Sequence, residues 1–192
     1  MLTIAWDVDD VLNDLMRAWL EREWRPQHPG CQVAYEEICA NPPHEVLGVS
    51  LEEYLASLDE FRRTRYAELA PVPEAKAWFE RHGDAYRHIA VTAVPLACAP
   101  SSAAWVMRHF GRWIRSFHVV PSSRPGETLP VYDGTKQDFL GWLGKAAVLV
   151  DDHSGNVEAA RRAGLRAVLM PRPWNDAAGS AAAAYNELGQ LQ

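Results

Sequence analysis

"WDVDDVL", residues 6–12, places three carboxylates, Asp7, Asp9 and Asp10, within four positions, directly behind the apolar run "LTIA". Carboxylates that close repel one another, and a buried one without a partner is costly. The apolar run is short and bounded by acids, which reads as a fully buried strand. A strand that ends in this way needs something positive to lie against its end.

Working outward from that strand, "VLNDLMRAWLEREW" sets Leu12, Leu15, Met16, Trp19 and Leu20 at helical spacing and is closed by Pro26. Residues 27–43 are broken by proline and glycine and predict no long element. "SLEEYLASLDEFRRTRYAELA" predicts a helix opened by Ser50, with Glu53 three residues on as a capping box. "PVPEAKAWFERHG" predicts another, with Pro73 at its start and Gly83 just past its end. From there strands and helices alternate. "YRHIAVTAVP", "FHVVPSSR", "AAVLVDD" and "LRAVLMP" read as strands. "SSAAWVMRHFG" (serine-capped), "TKQDFLGWLG", "SGNVEAARRAG" and the alanine-rich "DAAGSAAAAYNELGQ" read as helices. Such alternation predicts an α/β fold, a parallel sheet with helices on both faces. The segment between the first strand and this block, residues 15–72, is almost wholly helical and reads as an insert.

The chain has 192 residues, enough for one domain with an inserted subdomain, and 48% of them are hydrophobic. A formal net charge of −6 argues against binding a nucleic-acid polymer, although a metal ion can invert the field of an acidic site and admit an anionic substrate. Cys31, Cys39 and Cys98 form no CxxC pair and their odd number fits reduced, cytoplasmic usage. No stretch matches a leader or a membrane span. The expectation is a soluble cytoplasmic protein without a membrane partner.

Ligands of open parallel sheets bind beyond the carboxyl ends of the strands. The first strand ends in Asp7 and Asp9, the second in Thr92 followed by Ala93, and the fourth in Asp151 and Asp152, while Lys136 opens the helix before that fourth strand. Neighbouring strands would bring these groups into one pocket, where clustered carboxylates suit a hard divalent cation. "RRTR", residues 62–65, reads as a solvated helix face, with a contact to an anionic substrate as the alternative. His153, beside the acidic pair, reads as a surface residue. Trp78, Trp105, Trp113 and Trp142 read as packing, whereas Trp19 and Trp24, inside the insert, read equally as core or as the wall of a pocket for a flat ring.

The order "DVDDVL … VTAVP … TKQDFL … VLVDDHSGN" resembles the haloacid dehalogenase-like (HAD) superfamily, whose phosphatases carry DxDx(T/V), a strand-ending Ser/Thr, a Lys and a later acidic pair. The resemblance implies a Rossmann-like three-layer sandwich, with a core of residues 1–14 and 73–192 and a helical cap of residues 15–72 inserted after strand 1. It also implies a Mg²⁺-dependent phosphohydrolase acting on a small phosphorylated substrate. Asp7 would be the nucleophile that forms an aspartyl-phosphate, and Asp9 the general acid and base. Asp7, the Asp9 backbone carbonyl and Asp152 would hold Mg²⁺, with Asp151 in support. Thr92 and Lys136 would bind the phosphoryl group, with Asp10, Ala93 and Trp19 completing the substrate site. Asp10 stands where many relatives have glycine. Within the superfamily, "DVDDVLNDL" with Asp14, the proline-led "LAPVPEAKAWFERH" and the closing "PRPWN" resemble 5′(3′)-deoxyribonucleotidase-like proteins, which implies a (deoxy)nucleoside monophosphate. A sugar phosphate, another phosphomonoester or a phosphoprotein is the alternative substrate. A non-catalytic HAD-like binding protein and a receiver-type signalling domain are the alternative functions; a DxD on the first strand opposes the receiver. A cap of this size leaves room for a homodimer, which no sequence feature demands.

Overall fold

The computed structural model describes residues 1–130 and 132–190. Five strands form one parallel sheet in the order β3-β2-β1-β4-β5, with β1 at Thr3–Trp6, β2 at Arg87–Val94, β3 at Ile114–Pro121, β4 at Val148–Asp151 and β5 at Arg166–Leu169. The central β1 pairs on both sides, Ile4 lying opposite His88 and Val148. From β1 the chain winds outward through β2 to β3, then crosses back to place β4 on the other side of β1. The crevice beyond the carboxyl ends of β1 and β4 is therefore the point where the winding reverses, which is where open α/β sheets bind ligands.

The labelled helices are α1 (Leu15–Trp19), α2 (Leu51–Thr64), α3 (Pro73–His82), α4 (Ala99–Phe110), α5 (Lys136–Leu143), α6 (Ser154–Arg162) and α7 (Ala181–Leu188). α1 runs on as a π-helical turn at Leu20–Trp24 and a last α-helical piece at Arg25–Gln27, so Pro26 sits inside the final turn. α4 begins at Ala99, earlier than the serine cap predicts, and Ser102 is buried inside it. β3 starts three residues before the apolar run that signals it, and β2 runs two residues past Thr92.

Side chains alternate across the sheet as strand geometry requires. Ile4, Trp6, Val148 and Val150 enter a large core with α3, α4 and α7, while Ala5, Leu149, Ile89 and Val91 enter a smaller one with α5 and α6. Helices thus cover both faces, completing three layers. Trp78 and Trp105 are buried as expected, Trp105 donating from Nε1 to the Leu69 carbonyl at 2.8 Å. Trp142 is not part of the packing: α5 turns Phe139 and Leu140 inward and leaves Trp142 exposed on its opposite side. Trp113 is half-buried and donates to Asp84 Oδ1 at 2.9 Å.

The helical segment between β1 and β2 leaves and rejoins the sheet at one place, where Asn13 bridges Pro71 antiparallel and Val72 N donates to the Leu12 carbonyl. Its buried residues, among them Trp19, Trp24, Tyr54, Leu58 and Phe61, continue without a break into the larger sheet core.

Behind β1, Trp6 Nε1 donates to His88 Nδ1 at 3.0 Å and His88 Nε2 donates to the Gly83 carbonyl at 2.8 Å, amid the rings of Trp78 and Phe79. Only neutral His88 can accept from Trp6. Burial lowers its pKa below the ordinary 6.5, against the opposing pull of the Gly83 carbonyl. The unfolded chain therefore binds the proton first, and this contribution to stability is complete above 6.5 and lost as pH falls toward the folded value. Between about pH 7.5 and about pH 5.5, thermal unfolding is expected to show the wild type losing stability relative to His88→Gln, whose amide does not titrate.

Candidate active site

At the crevice, β1 hands over to a tight turn. Asp7 N still donates to the Val150 carbonyl of β4 at 2.8 Å, which anchors Asp7 at the edge of the ladder. Three residues on, Asp10 takes a left-handed φ of 58°. Glycine is favoured there, and Asp tolerates it better than most residues. The side chain also serves the next helix. Asp10 Oδ1 accepts from Met16 N at 3.0 Å, and Asn13 Oδ1 from Leu15 N at 3.1 Å, so together they cap α1. An aspartate in the glycine position is explained by this cap. Burial, partly opposed by Arg172, raises the Asp10 carboxyl to about 7.

Asp7, Asp151 and Asp152 each turn an oxygen toward one point, all within 4.8 Å of one another and all buried. Lys136 Nζ lies among them, 2.5 Å from Asp7 Oδ2 and 2.7 Å from Asp151 Oδ2. The lysine is placed by its helix: Thr135 Oγ1 accepts from Asp138 N at 3.1 Å and Thr135 N donates to Asp138 Oδ2 at 2.8 Å, so the capping box locates the first residue of α5. Burial disfavours the ammonium, but Asp151 and Asp7 overcome it and hold its pKa above the ordinary lysine value. Asp7 is pushed well up by burial, Lys136 pulling it down and Asp151 and Asp152 adding to the rise.

The acidic pair divides its work. Asp151 accepts from Lys136, from His153 N at 2.9 Å and from Asn156 Nδ2 at 3.1 Å. Asp152 meets a different set: Trp174 Nε1 donates to its Oδ2 at 2.8 Å, and Asn175 Nδ2 to its backbone carbonyl at 2.7 Å. Burial and Asp151 raise Asp152 to about 7. The "PRPWN" stretch thus orients Asp152, while Arg172 of the same stretch grips the turn after β1, with Nε on the Asp10 carbonyl at 2.6 Å and a guanidinium nitrogen on Asp14 at 2.8 Å.

Asp9 faces the insert. Tyr66 donates its hydroxyl to Asp9 Oδ1, and Arg62 reaches Oδ2 at 3.0 Å. The tyrosine stays a donor because burial and then Asp9 raise its pKa well above the ordinary value. Arg62 is only 8% exposed, also pairs with Asp59 at 3.3 Å, and lines the cleft, which corrects the solvated-face reading of "RRTR" for this residue. The spacing of "EFRRTRY" carries helical periodicity but no sign that Arg62 and Tyr66 turn toward β1, so sequence reasoning held Arg62 only within the alternative reading of "RRTR" and missed Tyr66.

Thr92 and Ala93 line the same cleft of about 390 Å³ as Asp7, Asp9, Asp10, Lys136 and Asp152. Trp19 does not. It is fully buried inside the insert, its Nε1 on Ser57 Oγ at 3.0 Å and its ring against Trp24 and Tyr54. Its pocket-wall role is thereby corrected: apolar burial outcompetes exposure, and Tyr54, packed on Trp19, lines the cleft in its place. His153 also lines the cleft, and its Nδ1 accepts from Gly155 N at 3.2 Å to cap α6.

The residues fit a hard divalent cation. Three buried carboxylates share a single ammonium between them, two of the three are pushed toward protonation, and all offer oxygen donors at one point.

No protein-family model and no curated protein matches the sequence. Solved structures do match the fold. A putative beta-phosphoglucomutase from Thermotoga maritima is 17% identical, with a TM-score of 0.61 over 100% of both chains. A predicted phosphatase from Clostridium acetobutylicum is 14% identical, with a TM-score of 0.62 over 99% of each chain. Protein Tyrosine Kinase A of Mycobacterium tuberculosis is 17% identical, with a TM-score of 0.62 over 98% of each chain. A haloacid dehalogenase-like hydrolase from Streptococcus pneumoniae also matches, 13% identical with a TM-score of 0.57 over 96% of this chain and 90% of that one. The chain therefore has the α/β fold of HAD-like hydrolases, with a central parallel sheet and flanking helices.

The left-handed turn can be isolated by two substitutions that both remove the carboxylate. Asp10→Gly is expected to unfold at a higher temperature than Asp10→Ala, by about 1 kcal/mol in stability, because only alanine retains a Cβ in that conformation.

Proposed function

We propose that this protein is a Mg²⁺-dependent phosphohydrolase that cleaves a small phosphomonoester through an aspartyl-phosphate on Asp7. One observation carries the reading: the Asp7 carboxylate sits at the winding reversal of the sheet, against the Lys136 ammonium, with Asp152 and Thr92 facing the same cleft. Asp7, Asp152 and the Asp9 backbone carbonyl, with Asp151 in support, would hold a divalent cation, which would supply charge neutralisation for the phosphoryl oxygens.

The protein groups divide the remaining work. An Asp7 oxygen attacks phosphorus, a new O–P bond forms, the ester P–O bond breaks, and the departing alcohol takes a proton from Asp9. Water then attacks the aspartyl-phosphate, Asp9 takes up its proton, and cleavage of the bond to Asp7 releases phosphate and restores the carboxylate. Lys136 stays protonated throughout and offsets the charge of the phosphoryl group, to which the Thr92 hydroxyl donates. Asp9 has both oxygens engaged by Tyr66 and Arg62, so it exchanges one of these contacts to reach the ester oxygen, and the proton it gives there is the one it takes from water in the preceding turnover. The (deoxy)nucleoside monophosphate implied by the short motifs finds no platform in Trp19 or Trp24, which are buried, and the substrate stays at the level of a phosphomonoester here.

Phosphate release from phenyl and alkyl phosphates, sugar phosphates and nucleotides is expected in Mg²⁺ and lost in EDTA, and Asp7→Asn is expected to lower it by at least about 10³-fold. A folded protein that releases no phosphate from any of them would leave the non-catalytic reading. Trp174→Phe keeps the ring but deletes the donor to Asp152, and calorimetric titration with Mg²⁺ is expected to show affinity weakened by about tenfold or more.

A further inference from the structure

A second, larger cavity of about 710 Å³ opens beside the catalytic cleft, between α2, the turn after β2 and the loop after β3. Leu55, Ser123 and Arg124 line both, so the two are neighbouring compartments with a common wall. A phosphoryl group held at Asp7 and Lys136 occupies the smaller, polar compartment. The alcohol it is esterified to must extend away from Asp7, and the larger compartment is the adjoining volume of a size that binds small organic groups.

Its walls state what that alcohol is. Leu51, Leu55, Ala56, Pro95, Ala97 and Pro125 offer side chains without a donor or acceptor. The Cys98 thiol joins them, its pKa raised by burial and by Asp59, so it is a neutral wall. The cavity's two guanidinium groups are already engaged. Arg124 places Nε and one Nη on Asp59 at 2.6 and 2.9 Å and the other Nη on Ser122, while Arg63 pairs with Glu60. Three carboxylates, Glu52, Asp59 and Glu127, face two guanidinium groups here, which disfavours a leaving group with a second negative charge. Along the wall of Leu51, Leu55, Ala56, Pro95, Ala97 and Pro125 a sugar or nucleoside would leave hydroxyls or base edges against apolar carbon, at a cost for each unmade hydrogen bond. No aromatic side chain lines this groove among the described residues, so it offers no stacking platform either.

We propose that this groove holds the leaving group and that the substrate is the phosphomonoester of a neutral, predominantly aliphatic alcohol. The inference rests on the phosphohydrolase reading for its reaction and on the groove alone for its ligand.

Two measurements separate those supports. Binding of methyl-, butyl-, hexyl- and octylphosphonate, which carry a non-hydrolysable P–C bond, is measured calorimetrically in Mg²⁺. Affinity is expected to rise by about fourfold per methylene until the groove is full. Ala56→Trp, which fills the groove from α2, is expected to flatten that series, while Trp142→Ala, at an exposed site on the far side of α5, leaves it intact. In parallel, phosphate release is measured from the matching alkyl phosphates, glucose 6-phosphate and thymidine monophosphate, and kcat/KM is expected to follow the same chain-length order and exceed both polar esters. A chain-length series in binding without phosphate release upholds the groove and overturns the phosphatase. Phosphate release with no chain-length dependence, or with preference for the sugar or the nucleotide, overturns the groove and upholds the phosphatase. No gain in phosphonate affinity with length overturns the groove whatever the turnover.

Discussion

Lys136 lies buried between Asp7 and Asp151, and much of the crevice is organised around that one ammonium. Without it, two carboxylates at the ends of adjacent strands would face each other in a low-dielectric interior, and one would have to take up a proton. With it, the carboxyl ends of β1 and β4 can close together, which is where the winding of the sheet reverses. The lysine compensates only part of the charge. Asp7 and Asp152 remain pushed upward, which leaves the cluster short of one more positive group at the point where its oxygens converge.

Two flanking segments hold this crevice from outside the sheet. From the insert, Arg62 and Tyr66 reach Asp9, and through Asp59 the same network continues to Arg124 beyond β3. From the chain after β5, Trp174 and Asn175 hold Asp152 while Arg172 holds the turn at Asp10 and Asp14. The turn after β1 is thus gripped on both sides, which is how a residue with φ of 58° stays in place while carrying a buried carboxylate. The core of the insert merges with that of the sheet, so apolar burial on one side positions polar contacts on the other. No helix among the described residues is long and apolar enough to cross a membrane.

Much of the fold is legible in the sequence because its signals are local. Four-residue apolar strands, the Ser50 cap, Pro73 at a helix start and the alternation of elements after it all depend on neighbours in sequence, and the corresponding elements lie where those signals put them. Legibility fails where a long-range choice decides. Trp19 and Trp142 are both tryptophans on helices, and periodicity does not say that the first is sealed behind Tyr54 while the second faces solvent. The start of α4 at Ala99 is hidden because Ser101 and Ser102 mimic a cap, whereas Ser102 lies within 3.3 Å of the Tyr66 hydroxyl.

The sequence by itself determined that acids and a threonine stand at the ends of apolar strands and a lysine at the start of a helix, since charge and hydropathy leave few other readings for "WDVDDVL" and "VLVDDH". Only the tertiary structure decided which of those ends meet. Strand order, not strand sequence, brings β4 beside β1 and so sets Lys136 between Asp7 and Asp151. The same holds for Arg62, Tyr66 and Trp174, whose contacts span from 22 to 57 residues along the chain. A contact of that kind leaves no trace in local periodicity, because the partner that gives the side chain its role is supplied by another part of the fold.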